Sequence, residues 1–191
     1  YYERTSKIPA LVKNTCPEAK LILTLRNPIE RAISAYYKHI RQGRISPNKK
    51  ISDVLNLYGI LSMGYYDLHF QRWLEHFPRD QFLVLILEED IALGGSQATE
   101  RVYNFLGVDS SFVPNGSQEK RKSRQSHLFM RLKHISTRLA YFAAEHVPRL
   151  GAIEHLMRIP VYEEEKKILR ETYAPHVEEL EKLLGRELPW F

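Results

Sequence analysis

Apolar positions fall into two kinds of pattern along the chain. Residues 21–25 (LILTL) and 81–87 (QFLVLIL) are short and almost unbroken. They are too short for an ordinary helix and too continuous for a half-exposed strand, so they predict strands buried on both faces, as in a parallel sheet. Elsewhere the spacing is helical. Ile29, Ala32, Ile33, Tyr36 and Ile40 predict a helix beginning at Pro28; Tyr66, Phe70, Trp73, Leu74 and Phe77 predict one over 62–77 that Pro78 stops. Ala98, Val102 and Phe105 predict a helix over 96–106 with Gly107 just past its end. Leu128, Leu132, Ile135, Leu139 and Phe142 predict another over 128–142. Ile168, Leu169, Tyr173, Val177, Leu180 and Leu184 mark a last one over 162–185, which Pro175 should split or kink. Ile8, Leu11 and Val12 suggest a short helix closed before Pro17, and Ile51, Val54 and Leu55 a helical turn over 51–57. Strand, helices, strand in that order describes a right-handed βαβ crossover and an α/β fold.

The turn after the first strand carries the most chemistry. Asn27 suits the N-cap, Pro28 the first helical position and Glu30 the third, a capping-box-like start. A helix N-terminus at the end of a buried strand offers backbone N–H groups and a positive dipole end to an anion. Arg26 sits at that mouth, where its guanidinium can donate two parallel bonds to a phosphate. Ser34 lies on the stripe Glu30, Ser34, Tyr37, Arg41, away from the apolar face. On spacing alone a surface arginine and a solvated serine fit as well. Glu88, Glu89 and Asp90 stand at the carboxyl end of the second strand, where open α/β sheets bind ligands; the plainer reading is a solvated strand exit and helix cap. Residues 119–124 (EKRKSR) hold four cations in six positions. They read either as a solvated basic loop or as a loop that lays cations over a phosphate.

Composition narrows this only in part. The 191 residues suffice for one domain with a sizeable core, and 43% apolar with 27% charged residues is globular composition. A formal charge of +5 favours anionic partners without choosing among nucleotide, nucleic acid, sulfated sugar and lipid head group. Cys16 is the single cysteine, so no internal disulfide forms. There is no GxxxxGK[ST] phosphate cradle and no GxGxxG, and the eight histidines show no metal-ligand spacing, so no metal is expected. The longest apolar run, 82–87, is far short of a membrane span.

LRNP followed by ERAISAYY resembles the sulfotransferases that use 3'-phosphoadenosine 5'-phosphosulfate (PAPS), at their motif for the nucleotide's 3'-phosphate. Residues 64–90 (GYYDLHFQRWLEHFPRDQFLVLILEED) are similar to the helix-to-strand segment of heparan-sulfate-type and bacterial members, and NFLG at 104–107 and GRELPWF at 185–191 continue the resemblance in order. It implies a three-layer α/β fold, a parallel sheet flanked by helices and related to the P-loop NTPases. It also implies PAPS as donor, adenosine 3',5'-bisphosphate (PAP) as product, no metal, and a hydroxyl or amine acceptor on a carbohydrate or small molecule. Arg26 and Ser34 fall on the 3'-phosphate clamp. Arg121, Lys122 and Ser123 fall in a late basic segment that closes over the nucleotide, although the glycine usual there is missing. Tyr66, His69 and Trp73 fall where an acceptor pocket is lined, and equally where core aromatics sit. No catalytic base is named. The family's 5'-phosphosulfate loop precedes the LRNP strand, so residues 1–191 are expected to be the carboxyl-terminal portion of a single sulfotransferase domain, inactive without its amino-terminal part. A bacterial cytoplasmic location is the expectation, with a Golgi lumen the alternative if an upstream anchor is present. The rival function is a polyanion or nucleic-acid binding module using the basic loop.

Overall fold

A computed structural model describes residues 2–46, 48–91, 96–112 and 161–191. They form α1 (Tyr2–Thr15), β1 (Leu21–Leu25), α2 (Pro28–Arg41), α3 (Tyr66–Leu74), β2 (Phe82–Ile86), α4 (Ser96–Leu106) and α5 (Glu163–Leu184), with short 3-10 turns at Ser52–Val54, Ser62–Gly64 and Arg79–Gln81. The expected helix over 128–142 and the basic run at 119–124 lie outside the described residues. No described helix is long and apolar enough to cross a membrane.

The described residues divide into two compact units. One holds residues 2–27, 65–91, 96–112 and 173–191; the other holds 28–46, 48–64 and 161–172. In the first, β1 and β2 pair in parallel with Leu21 opposite Phe82 and Leu25 opposite Ile86, as the βαβ pattern requires. Leu25, Phe70, Phe77, Phe82, Val84, Ile86, Val177, Leu180, Leu188 and Trp190 make its core, with Val12, Leu21, Leu23, Tyr66 and Trp73 packed against them. Phe82 meets Phe70 and Phe77 edge-on at 5.2 and 6.3 Å, the arrangement ring quadrupoles favour.

β1 departs from expectation on one face. Leu21, Leu23 and Leu25 turn to the core, whereas Ile22 is 41% exposed and Thr24 is exposed. An unbroken apolar run cannot distinguish a strand covered on both faces from one covered on a single face, because every second residue is apolar either way.

The helices differ in length from their sequence patterns. α1 is no short helix: it runs 14 residues with Pro9 inside it, and Ile8 and Leu11, two of the residues that suggested it, are exposed. α3 starts at Tyr66, because Tyr65 leaves helical geometry (φ −78°, ψ 67°) and Ser62–Gly64 close a separate 3-10 turn, and it ends at Leu74 rather than at Phe77 before Pro78. Residues 51–57 keep only the 3-10 turn Ser52–Val54. α4 ends at Leu106 as expected: Gly107 takes φ +78° and the N–H of Val108 reaches the carbonyl of Tyr103 at 3.0 Å, a Schellman termination, while Lys20 Nζ caps the Phe105 carbonyl at 2.7 Å. α5 is one helix of 22 residues, unsplit by Pro175. The single N–H that proline removes is outweighed by the buried stripe Leu169, Tyr173, Val177 and Leu180 on either side of it.

In the second unit α2 begins at Pro28 as expected and buries Ile29, Ala32, Tyr36, His39 and Ile40. Its other buried apolar residues include Ile45, Ile51, Val54, Ile60 and Leu169. The Tyr36 hydroxyl donates to the Lys49 carbonyl at 2.7 Å, and burial raises its pKa far above the phenolic range. Arg31 donates to the Ile60 carbonyl.

Candidate functional site

Parallel pairing puts the carboxyl ends of β1 and β2 side by side, so the residues just beyond them, Arg26–Asn27 and Leu87–Asp90, share one rim of the sheet. Arg26 is half-buried there. Its backbone carbonyl accepts the Tyr66 hydroxyl at 3.1 Å, from the first turn of α3. Asn27 is held at two points: its backbone N–H donates to Glu88 Oε1 at 2.8 Å, and its Nδ2 donates to the Trp190 carbonyl at 3.1 Å. The Trp190 indole N–H in turn donates to Glu88 Oε2 at 3.1 Å. The donor that the capping-box pattern assigns to Glu30 thus goes to Glu88, just beyond the neighbouring strand.

The acidic trio is therefore not a solvated exit. Glu88 bridges two N–H groups. Glu89 pairs with Arg186 at 2.8 Å, and Asp90 accepts the Ile86 N–H at 2.6 Å within a π-helical turn, Leu87–Ile91, while pairing with Arg101 of α4. Each carboxylate has donors of opposite or partial positive charge, which is what allows three to stand together at a sheet rim.

A second constellation lies in the same unit. The Asp67 carboxylate, 3% exposed in the first turn of α3, meets His176 Nδ1 of α5 at 2.9 and 3.0 Å through its two oxygens. The Tyr65 ring lies 4.1 Å from that imidazole and meets Tyr173 edge-on. This fixes the orientation of one imidazole and satisfies a buried carboxylate; among the described residues no group of three or more potential metal ligands occurs.

Of the residues expected from sequence, Arg26 and Tyr66 are brought into contact, the second bracing the first. His69 is half-buried one turn further along α3. Ser34 is exposed on α2 and belongs to the second unit, whereas Arg26 belongs to the first. Arg121, Lys122 and Ser123 lie outside the described residues. Sequence reasoning did not find the roles of Glu88, Trp190, Asp67 and His176. Asn27 and Trp190 are 163 positions apart, Asp67 and His176 109, and no periodicity links such pairs.

A parallel strand pair with flanking helices defines an α/β protein, and Arg26 places a cation at the carboxyl ends of its strands, the rim where open sheets of this kind bind ligands. Residues 6–140, well over half of the 191, match the family model described as "Sulfotransferase domain". The chain belongs to the sulfotransferase family. It is 24% identical over 99% of its length to heparan sulfate glucosamine 3-O-sulfotransferase 3B1 of Mus musculus, covering 48% of that protein. It is 28% identical over 56% of its length to heparan sulfate glucosamine 3-O-sulfotransferase 6 of the same organism, covering 33%. The chain thus spans between a third and a half of the length of these two relatives. The solved sulfotransferase of Alicyclobacillus acidocaldarius has the same fold: TM-score 0.62 at 23% identity, covering 96% of this chain and 61% of that one.

Proposed function

We propose that the protein transfers a sulfuryl group from PAPS to a hydroxyl or amine, with PAP as product. Sulfuryl transfer, like phosphoryl transfer, depends mainly on alignment of donor and acceptor and on cations that stabilise charge in an in-line transition state. In this reading Arg26 binds the donor's 3'-phosphate, and Tyr66 and His69 of α3 serve the acceptor. The observation that carries it is the place of Arg26, half-buried at the carboxyl end of β1 and directly before the N-terminus of α2. An amino sugar is the acceptor class proposed, since the two curated relatives described above are named for heparan sulfate glucosamine. The polyanion-binding alternative rests on residues 119–124, and none of the relatives described above is named for nucleic-acid binding.

Calorimetry with PAP tests the reading. The protein binds PAP, and Arg26→Ala weakens binding at least about tenfold, because a charge-assisted contact of this kind contributes about 1.5 to 3 kcal/mol. Preference for heparin or RNA over PAP, with a steep salt dependence indifferent to Arg26, would overturn it.

A further inference from the structure

The carboxyl-terminal tail folds back onto the turn that carries Arg26. α5 ends at Leu184, followed by Gly185 (φ +69°) with the Arg186 N–H on the Glu181 carbonyl at 3.2 Å, and the Leu188 N–H donates to the Glu181 carboxylate at 2.7 Å. Arg186 pairs with Glu89, and Leu188 and Trp190 are 7% and 5% exposed. This path delivers Trp190 to Asn27 and Glu88, where three hydrogen bonds close a ring: Asn27 N–H to Glu88, Asn27 Nδ2 to the Trp190 carbonyl, and Trp190 Nε1–H to Glu88. The Tyr66 ring lies 5.9 Å from the indole and its hydroxyl fixes the Arg26 carbonyl.

We infer that Glu88 and Trp190 are positioning residues for nucleotide binding: they hold the Arg26–Asn27 turn in the conformation from which the Arg26 guanidinium meets the 3'-phosphate. The inference rests on the nucleotide reading above. A carboxylate beside an anion site is otherwise unfavourable, since like charges repel. Glu88 is tolerated there because both its oxygens accept N–H donors, one from the turn and one from the tail.

That opposition of signs makes the test decisive. In the complete protein, PAP affinity is measured by calorimetry for Glu88→Gln, Trp190→Phe and Arg26→Ala, and for each of the first two combined with the third, with thermal midpoints read in parallel. If Glu88 acts only through its charge, E88Q tightens PAP binding. Positioning predicts the reverse: E88Q and W190F each weaken binding about three- to tenfold, and neither adds a further loss in the R26A background, because both act through that one side chain. W190F removes the indole N–H together with the five-membered ring of a buried side chain, so the thermal midpoints read in parallel show, for it as for E88Q, that affinity is measured on folded protein. Tighter or unchanged binding in E88Q and W190F, or losses that persist undiminished in R26A, would overturn the inference while leaving the nucleotide reading standing. If the parent protein fails to bind PAP, or R26A binds it unchanged, both fall.

Discussion

His39 shows how a single polar side chain is accommodated in an apolar face. It is 8% exposed on α2, its ring stacks on Tyr58 at 4.8 Å, and it hydrogen-bonds to the Tyr58 backbone, which holds an uncommon left-handed conformation for a non-glycine residue (φ +52°). Nδ1 is buried and takes no hydrogen bond among the described residues. Burial, followed by the nearby charges of Arg44 and Lys38, holds the imidazole pKa below its ordinary 6.5. The unfolded chain therefore takes up this proton first on acidification, and the stability contributed by neutral His39 is complete above pH 6.5 and is lost as pH falls towards the lowered folded value. Thermal midpoints of the parent and His39→Gln, measured from pH 7.5 down to 5, should converge on acidification; a difference independent of pH would show that His39 does not titrate in this way. The apolar stripe of α2 is legible in sequence, but its histidine is not: nothing local shows that the ring of Tyr58, 19 positions on, closes over it.

At the scale of elements, the start of α5 depends on one buried acid. Glu165, 7% exposed and third in the helix, accepts the N–H of Tyr162 at 3.1 Å, the reciprocal half of a capping box, and also the N–H and hydroxyl of Ser52 at 3.4 and 3.2 Å. Truncation removes the acceptor of two backbone N–H groups and a hydroxyl, so Glu165→Ala should cost about 1 to 2 kcal/mol by urea denaturation and Glu165→Gln distinctly less, since the amide keeps one acceptor oxygen. Equal losses for the two would mean that the charge rather than the acceptor geometry matters. Both strands, α2 and α4 were legible from sequence with boundaries correct to a residue, because their signals are local: an apolar run, a proline at the first helical position, a glycine after the last. α3 is shorter than its apolar stripe at both ends: Gly64 and the non-helical backbone of Tyr65 precede it, and it closes at Leu74 although Phe77 keeps the spacing. α5 is continuous where a split or kink at Pro175 is expected, because proline's local penalty is visible in sequence and the packing that keeps the helix unbroken is not. The candidate site divides the same way: Arg26 is local to its strand, whereas the bonds that hold its turn come from positions 40, 61 and 163 residues away.

For the whole molecule the question is whether the two compact units are separate domains. Each is discontinuous in sequence: among the described residues the chain passes from the first unit to the second between 27 and 28, back between 64 and 65, and again between 172 and 173 within α5. Domains that fold independently are joined at exposed, flexible linkers, and a crossing inside an uninterrupted helix is no such linker. One cooperative domain is therefore expected. The two tryptophans make this testable, because Trp73 and Trp190 both lie in the first unit while Glu165 lies in the second. In urea, Glu165→Ala should shift the midpoint read by tryptophan fluorescence as far as that read by far-UV circular dichroism, since coincident transitions are the mark of two-state unfolding. If the fluorescence midpoint stays at the parent value while the helical signal melts early, the second unit unfolds alone and the chain is two domains.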